Sequence, residues 1–177
     1  MDPFDDCLRK GRLKKVEPDA ERVASELATA KEELERARTC YIGSNWDEVA
    51  TQAYFAMYRC ARAGINSRGY RDTNLYGLCV ALQRLFVDEG TLQNGTITKI
   101  REAKDIKDAV YGGHRASHQD ARSMLQGAQV FAKAIFSQLT LPGFDAAAIE
   151  LTIPERPDPG RSRINRPQRR SRETFNR

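Results

Sequence analysis

Apolar residues in this chain return every three or four positions through five successive stretches, the repeat of helices that bury one side. The most informative stretch lies between Asn45 and Tyr70, where Trp46, Val49, Ala50, Ala53, Met57, Cys60, Ala61 and Gly64 follow that spacing. Its inward positions are mostly small, so neighbouring helices can approach closely. Tyr54 and Tyr58 stand one turn apart at the edge of the strip, where buried hydroxyls need partners. Upstream, Val23, Leu27, Ala30, Leu34, Ala37 and Tyr41 predict a helix of about six turns. Pro18 suits its first position, Glu17 or Asp19 favours its positive end, and Gly43 stops it. Alternating Glu and Arg on its other face read as a solvated surface with i,i+4 pairs.

The second helix can be capped by Ser44, with Asp47 three residues on, and Gly69 supplies a left-handed residue after it. A third helix is capped by Asp72 or Thr73, carries Leu75, Leu78, Cys79, Leu82, Leu85 and Phe86, and stops at Gly90. Asn94-Gly95 reads as a turn. The fourth starts near Thr96 with Ile97, Ile100, Ala103, Ile106 and Val110, and breaks at Gly112-Gly113. The fifth opens on Ser117-x-x-Asp120, buries Ala121, Leu125, Ala128, Phe131, Ile135 and Leu139, and closes at Pro142-Gly143. These elements predict an all-α fold, an antiparallel up-and-down bundle of four to five helices over residues 17–141. Residues 1–16 read as a loose basic arm. In the extended segment 142–153, Ile149, Leu151 and Ile153 alternate with Glu150 and Thr152 as in a short strand. That segment either packs extended on the bundle or pairs with a second chain. From 154 to 177 Pro, Arg and Ser dominate, a composition that cannot repay ordering entropy, so a disordered tail is expected.

Charge changes this picture in one respect. Residues 154–177 hold eight Arg and three acidic residues, a net of +5, which equals the net charge of the whole chain. Residues 1–153 therefore sum to zero, and the high isoelectric point says little about the bundle. No run of eighteen apolar residues occurs, so no membrane span is expected. The acidic start, Met-Asp-Pro-Phe-Asp-Asp, does not read as a secretory signal. The four cysteines, Cys7, Cys40, Cys60 and Cys79, are widely spaced and contain no CxxC pair. They read as free thiols of a cytoplasmic protein, with no metal site and no cofactor implied.

Several of these segments together resemble the HEPN family (higher eukaryotes and prokaryotes nucleotide-binding), in its small archaeal and bacterial single-domain branch. The resemblance rests on Cys7-Leu-Arg-Lys-Gly-Arg12, on the helix through Val23, Glu26, Leu27, Ala30, Leu34 and Ala37, and above all on Trp46-Asp-Glu-Val-Ala-Thr-Gln-Ala-Tyr-Phe-Ala-Met-Tyr58. Ala61-Arg-Ala63, Gly69-Tyr70-Arg71, Leu85-Phe86-Val87 with Gly90, and Ala109 with Tyr111 continue the order over roughly residues 7–139. It implies a bundle that usually dimerises, in a family of RNases, nucleotide-binding proteins and toxin–antitoxin components.

Catalytic relatives use an Arg, then four to six residues, then a His: the guanidinium steadies phosphate charge and the imidazole moves a proton. Here that motif is degenerate. Of the two histidines, neither His114 nor His118 has an Arg at that spacing. The nearest substitute is Lys107, with six residues between it and His114, which keeps the charge and loses the bidentate fork. Where the family branch often shows Arg-x-x-Ala-Asp-Tyr, this chain has Ile106-Lys-Asp-Ala-Val-Tyr111. Lys107 and His114 are thus the candidate acid–base residues of a metal-independent RNase, set against a surface lysine and a loop histidine.

Arg101, Lys104, Lys107 and Tyr111 share a helical face suited to nucleic acid or a nucleotide, although Glu102, Asp105 and Asp108 interleave and cancel much of its field. Trp46, Tyr54, Met57 and Tyr58 are the expected homodimer interface. The arginines of the tail, Arg169 and Arg170 among them, offer phosphate contacts whose affinity would fall steeply with salt. By resemblance the leading function is a toxin–antitoxin or defence-type component acting on RNA or nucleotides. The rival is a non-catalytic dimeric module that docks a nucleotidyltransferase-type partner.

Overall fold

The computed structural model describes residues 1–139, 141–142, 145–150 and 152–154. Four long helices make the bundle: α2 (Ala20–Ile42), α3 (Trp46–Ser67), α5 (Gly95–Tyr111) and α6 (His118–Phe136). Two shorter ones, α1 (Pro3–Arg9) and α4 (Leu75–Leu82), lie against each other beside it. The expected all-α antiparallel bundle is the observed fold. Its axis is α3, which packs against α2, α4, α5 and α6. Small residues make this possible: Ala50, Ala53, Ala56, Ala61 and Ala63 are fully buried on several sides of one helix. Gly64 lets Ile135 and Phe86 come within 3.5 Å of where a β-carbon would stand.

Local chemistry fixes the helix ends. Asp19 caps α2 by accepting from Arg22 N at 3.1 Å. Ser117 and Asp120 form the expected reciprocal box at the start of α6. Ser44 is not the cap of α3, because it takes a left-handed conformation (φ 60°) and hands that role to Asn45. Neither Asp72 nor Thr73 caps α4; Asn74 does, its side chain accepting from Gly77 N at 2.8 Å. Beyond Leu82 the helix widens into a π turn, Gln83–Val87, before ending at Gly90.

Three expectations are corrected. The N-terminal arm is not loose: Asp2 caps α1, Pro3 opens it, and Phe4 and Cys7 bury themselves, with the Phe4 ring edge-on to Tyr70 at 5.2 Å. It leads into β1 (Leu13–Lys15), which pairs antiparallel with β2 (Tyr70–Asp72), Leu13 opposite Asp72. Secondly, Ile149 belongs to no strand. It follows a single 3-10 turn, Ala146–Ala148, and is buried against the bundle. The segment packs extended because Arg38 donates to Glu150 and to the Thr152 carbonyl, each at 2.7 Å, and Gln129 donates to the same carbonyl at 3.2 Å. Leu151 and the tail from 155 onward, with Arg169 and Arg170, lie outside the described residues. Thirdly, the far face of α2 is not uniformly solvated, since Glu26 and Glu33 are buried. Among the described residues no helix is long and apolar enough to cross a membrane.

Candidate functional site

Lys107, on α5, points at α3. Its ammonium sits 5.1 Å from the centre of the Tyr54 ring and 4.7 Å from that of Tyr111, and 2.5 Å from Asp108 Oδ1. Its side chain keeps only 13% of its exposure. A cation held over two rings and beside a carboxylate is well compensated, and such contacts add stability of about 0.5–2 kcal/mol each. Asp108 also takes Lys104, one turn back, and these two cations hold its carboxyl below the usual range. Tyr54 stacks on Tyr58 with ring centres 6.0 Å apart. Burial pushes both phenols up to about 12, with Asp72 adding to the effect at Tyr58. Neither phenol can serve as a base near neutral pH.

Tyr58 leads into an ion network between α2, α3 and β2. Its hydroxyl donates to Asp72 Oδ2 at 3.0 Å. Arg62 bridges Asp72 and Glu26 at 3.3 Å each, and Arg59 reaches Glu26 at 3.2 Å and Glu33 at 3.8 Å. Sequence reading missed this network because each charge, taken alone, suits a solvated helix face. The available signal was the pair Arg59 and Arg62, which falls on the same helix as the apolar strip.

Glu33 is the weak member. Burial raises its carboxyl above the usual range, more than Arg59 lowers it, and Oε2 has no hydrogen-bond partner. A carboxyl whose folded pKa exceeds its unfolded value weakens the fold once ionised. Stability from this group is greatest below the unfolded value and falls as pH rises through the folded one. Glu33→Gln is therefore expected to raise the unfolding free energy at pH 7 by about 1 kcal/mol, and the urea midpoint with it, because a neutral amide loses less on burial than a carboxylate. The gain should vanish at pH 3, and urea titrations at the two pH values measure it.

The C-terminal end of α5 is built differently. His114 is exposed, and both its backbone N–H and its Nδ1 are directed at the Ala109 carbonyl, at 3.0 and 3.2 Å. Arg115 and the Ala116 N–H both donate to Asp47 at 2.7 Å, which pins the loop to the start of α3 and holds the Asp47 carboxyl below its usual range. His118 brings its Nε2 within 2.8 Å of the Tyr41 hydroxyl and its ring to 5.0 Å from Trp46. This aromatic cluster at the bundle end also escaped the sequence reading, because Tyr41 and His118 are 77 residues apart.

The predicted site residues thus separate into groups. Lys104, Lys107, Tyr54, Tyr58 and Tyr111 come together along α3 and α5. His114 is turned back onto the end of its own helix and shares no hydrogen bond with Lys107. Arg101 lines a different cleft, beside α1 and α4. Of the expected interface, Met57 is 1% exposed and Tyr54 6%, so intrachain packing consumes both. Trp46 and Tyr58 are half-buried. Among the described residues, no cluster of three or more His, Cys, Asp or Glu is arranged to hold a metal. Compared with protein-family models and with curated proteins, the chain matches none.

Proposed function

We propose that this chain is a HEPN-like module that works by binding rather than by cutting RNA: the non-catalytic member of a toxin–antitoxin or defence-type pair. It associates as a homodimer and docks a nucleotidyltransferase-type protein in the cytoplasm. One observation carries the reading. Lys107 is spent on Asp108 and two tyrosine rings, while His114 faces its own helix end. An acid–base pair for phosphodiester cleavage needs both groups within hydrogen-bond reach of one reacting phosphate. In this reading any hold on RNA comes from the Arg-rich tail, since residues 1–153 carry no net charge. Such binding is electrostatic and weakens steeply as salt rises.

The test is an RNA-cleavage assay of the full chain against the Lys107→Ala/His114→Ala double variant. Neither protein is expected to degrade RNA above the buffer control. Cleavage by the parent chain that disappears in the double variant would overturn the proposal.

A further inference from the structure

The segment after α6 is held by side chains of the bundle rather than by a backbone ladder. Residues 137–145 join α6 to the turn Ala146–Ala148. Among the described residues the backbone bonds that follow are local: Ala148 N donates to the Asp145 carbonyl at 3.1 Å and Ile149 N to the Ala146 carbonyl at 3.2 Å. The hold on the bundle comes from the junction where α2 packs against α6. Ile149 is buried. Arg38 of α2 and Gln129 of α6 converge on the Thr152 carbonyl, and the other end of the Arg38 guanidinium takes the Glu150 carboxylate. A guanidinium spanning a carboxylate and a carbonyl, an amide on the same carbonyl and a buried aliphatic side chain are the means by which proteins read an extended peptide.

Gln129 adds an independent sign. Its exposure is 0%, and a buried amide costs free energy unless both its ends are satisfied. Nε2 has the Thr152 carbonyl, but Oε1 has no hydrogen-bond partner among the described residues. A primary amide beside an extended chain can donate to a carbonyl and accept from an N–H. The segment in place uses only the first of these. The Arg38 side chain keeps 12% of its exposure, and its acceptors among the described residues are Glu150 and the Thr152 carbonyl. Glu150 itself stays 58% exposed, so the carboxylate lies at the rim of the junction and not in the core. The junction therefore suits an extended chain, and the chain's own segment leaves one buried acceptor idle.

From this arrangement we infer that the α2–α6 junction is a docking site for an extended segment of a partner protein, one that presents an aliphatic residue followed by an acidic one. Ile149, Glu150 and Thr152 hold the site until the partner displaces them. A partner segment that sets an N–H against Gln129 Oε1 gains a hydrogen bond that the resident segment lacks. The resident has the advantage of its tether, which for a short connection equals a concentration of about 1 mM. Displacement is thereby reserved for a segment that fits better than the chain's own. Neither Lys107 nor His114 takes part, so the site stands whether or not the chain cleaves RNA.

The probe is a fluorescently labelled peptide with the sequence of residues 146–154, Ala-Ala-Ala-Ile-Glu-Leu-Thr-Ile-Pro, titrated by anisotropy against the full chain and its variants. Ile149→Asp and Glu150→Arg each release the resident segment, the second at an exposed position outside the core. Each variant is expected to bind the peptide at least about tenfold more tightly than the parent chain, because the tethered competitor is gone. Adding Arg38→Ala to either variant should weaken the peptide about tenfold or more, the loss of charge-assisted contacts. A peptide carrying Glu150→Lys should bind the released variants as weakly. Equal binding by the parent and both variants, no binding by any of them, or binding indifferent to Arg38→Ala and to the altered peptide would each overturn the inference. A dimer of the parent chain that both Ile149→Asp and Glu150→Arg dissolve would overturn it too, since the occupant would then be a second copy of this chain.

Discussion

Gly77→Ala is expected to lower the stability of the fold by about 3 kcal/mol or more, the upper range for overpacking a well-filled site. Propensity alone argues the other way, since alanine in a helix interior is favoured over glycine by about 1 kcal/mol. The surroundings decide. A β-carbon on Gly77 would stand 2.3 Å from the Arg12 carbonyl oxygen and 3.0 Å from its carbon. These are backbone atoms and cannot swing aside. The Arg12 carbonyl accepts from Thr73 N at 3.0 Å, and Arg12 N donates to the Cys7 carbonyl at 2.9 Å. To admit one methyl group, α4 must move off the segment joining α1 to β1, giving up the burial of Leu78 and Leu82. Urea denaturation should show a lower midpoint with an unchanged slope. Gly95→Ala is the control: nothing lies within 4 Å of its β-carbon position, so its midpoint should stay level or rise slightly. A parental midpoint for Gly77→Ala would mean that α4 does not approach Arg12 so closely.

The same position shows which parts of the fold were legible in sequence. Long helices with an apolar strip announce themselves, because the pattern repeats several times within one segment. Thus α2, α3, α5 and α6 were readable, as was the capping box of Ser117 and Asp120, whose partners are three residues apart. The ribbon of β1 and β2 was not. Its strands have three residues each and are joined through a pairing of Leu13 with Asp72 that no local pattern encodes. Without that pairing, Gly77 looks like an ordinary weak point in a helix, and Asp72 looks like a cap. Helix α1 carried readable marks, with Asp2 and Pro3 at its start and Phe4, Cys7 and Leu8 at helical spacing, but spans only two turns among basic residues.

The candidate site followed the same division. Lys107 and Tyr111 share a helix with Lys104, and their neighbourhood was visible as a face of α5. What lies opposite that face was not. The placement of Tyr54 under Lys107, and of Arg62 between Glu26 and Asp72, depends on three elements meeting. A charge on a helix surface has the same local signature whether water or another helix faces it. Glu26 and Glu33 were misread for that reason.

The network gives the second large effect. Arg62→Met is expected to cost about 3 kcal/mol, because removing one partner of a buried ion pair strands the other. The Asp72 side chain is 2% exposed and Arg62 20%, so the loss should fall at the lower end of the range for buried pairs. Glu26 suffers less, since Arg59 still reaches it at 3.2 Å. Among the described residues, Asp72 would keep only the Tyr58 hydroxyl as a side-chain partner. Adding Asp72→Leu to Arg62→Met should then recover most of the stability, because replacing both members by apolar groups removes the stranded charge. Chemical denaturation of the two single variants and the double variant closes the cycle. Equal losses in Arg62→Met and in the double variant would show that the Arg62 guanidinium acts through its position 5.8 Å from the Tyr58 ring centre, not through the carboxylate it neutralises. Recovery in the double variant would mean that the pair adds little net stability, and that the single change is costly because it leaves the Asp72 carboxylate buried without its guanidinium.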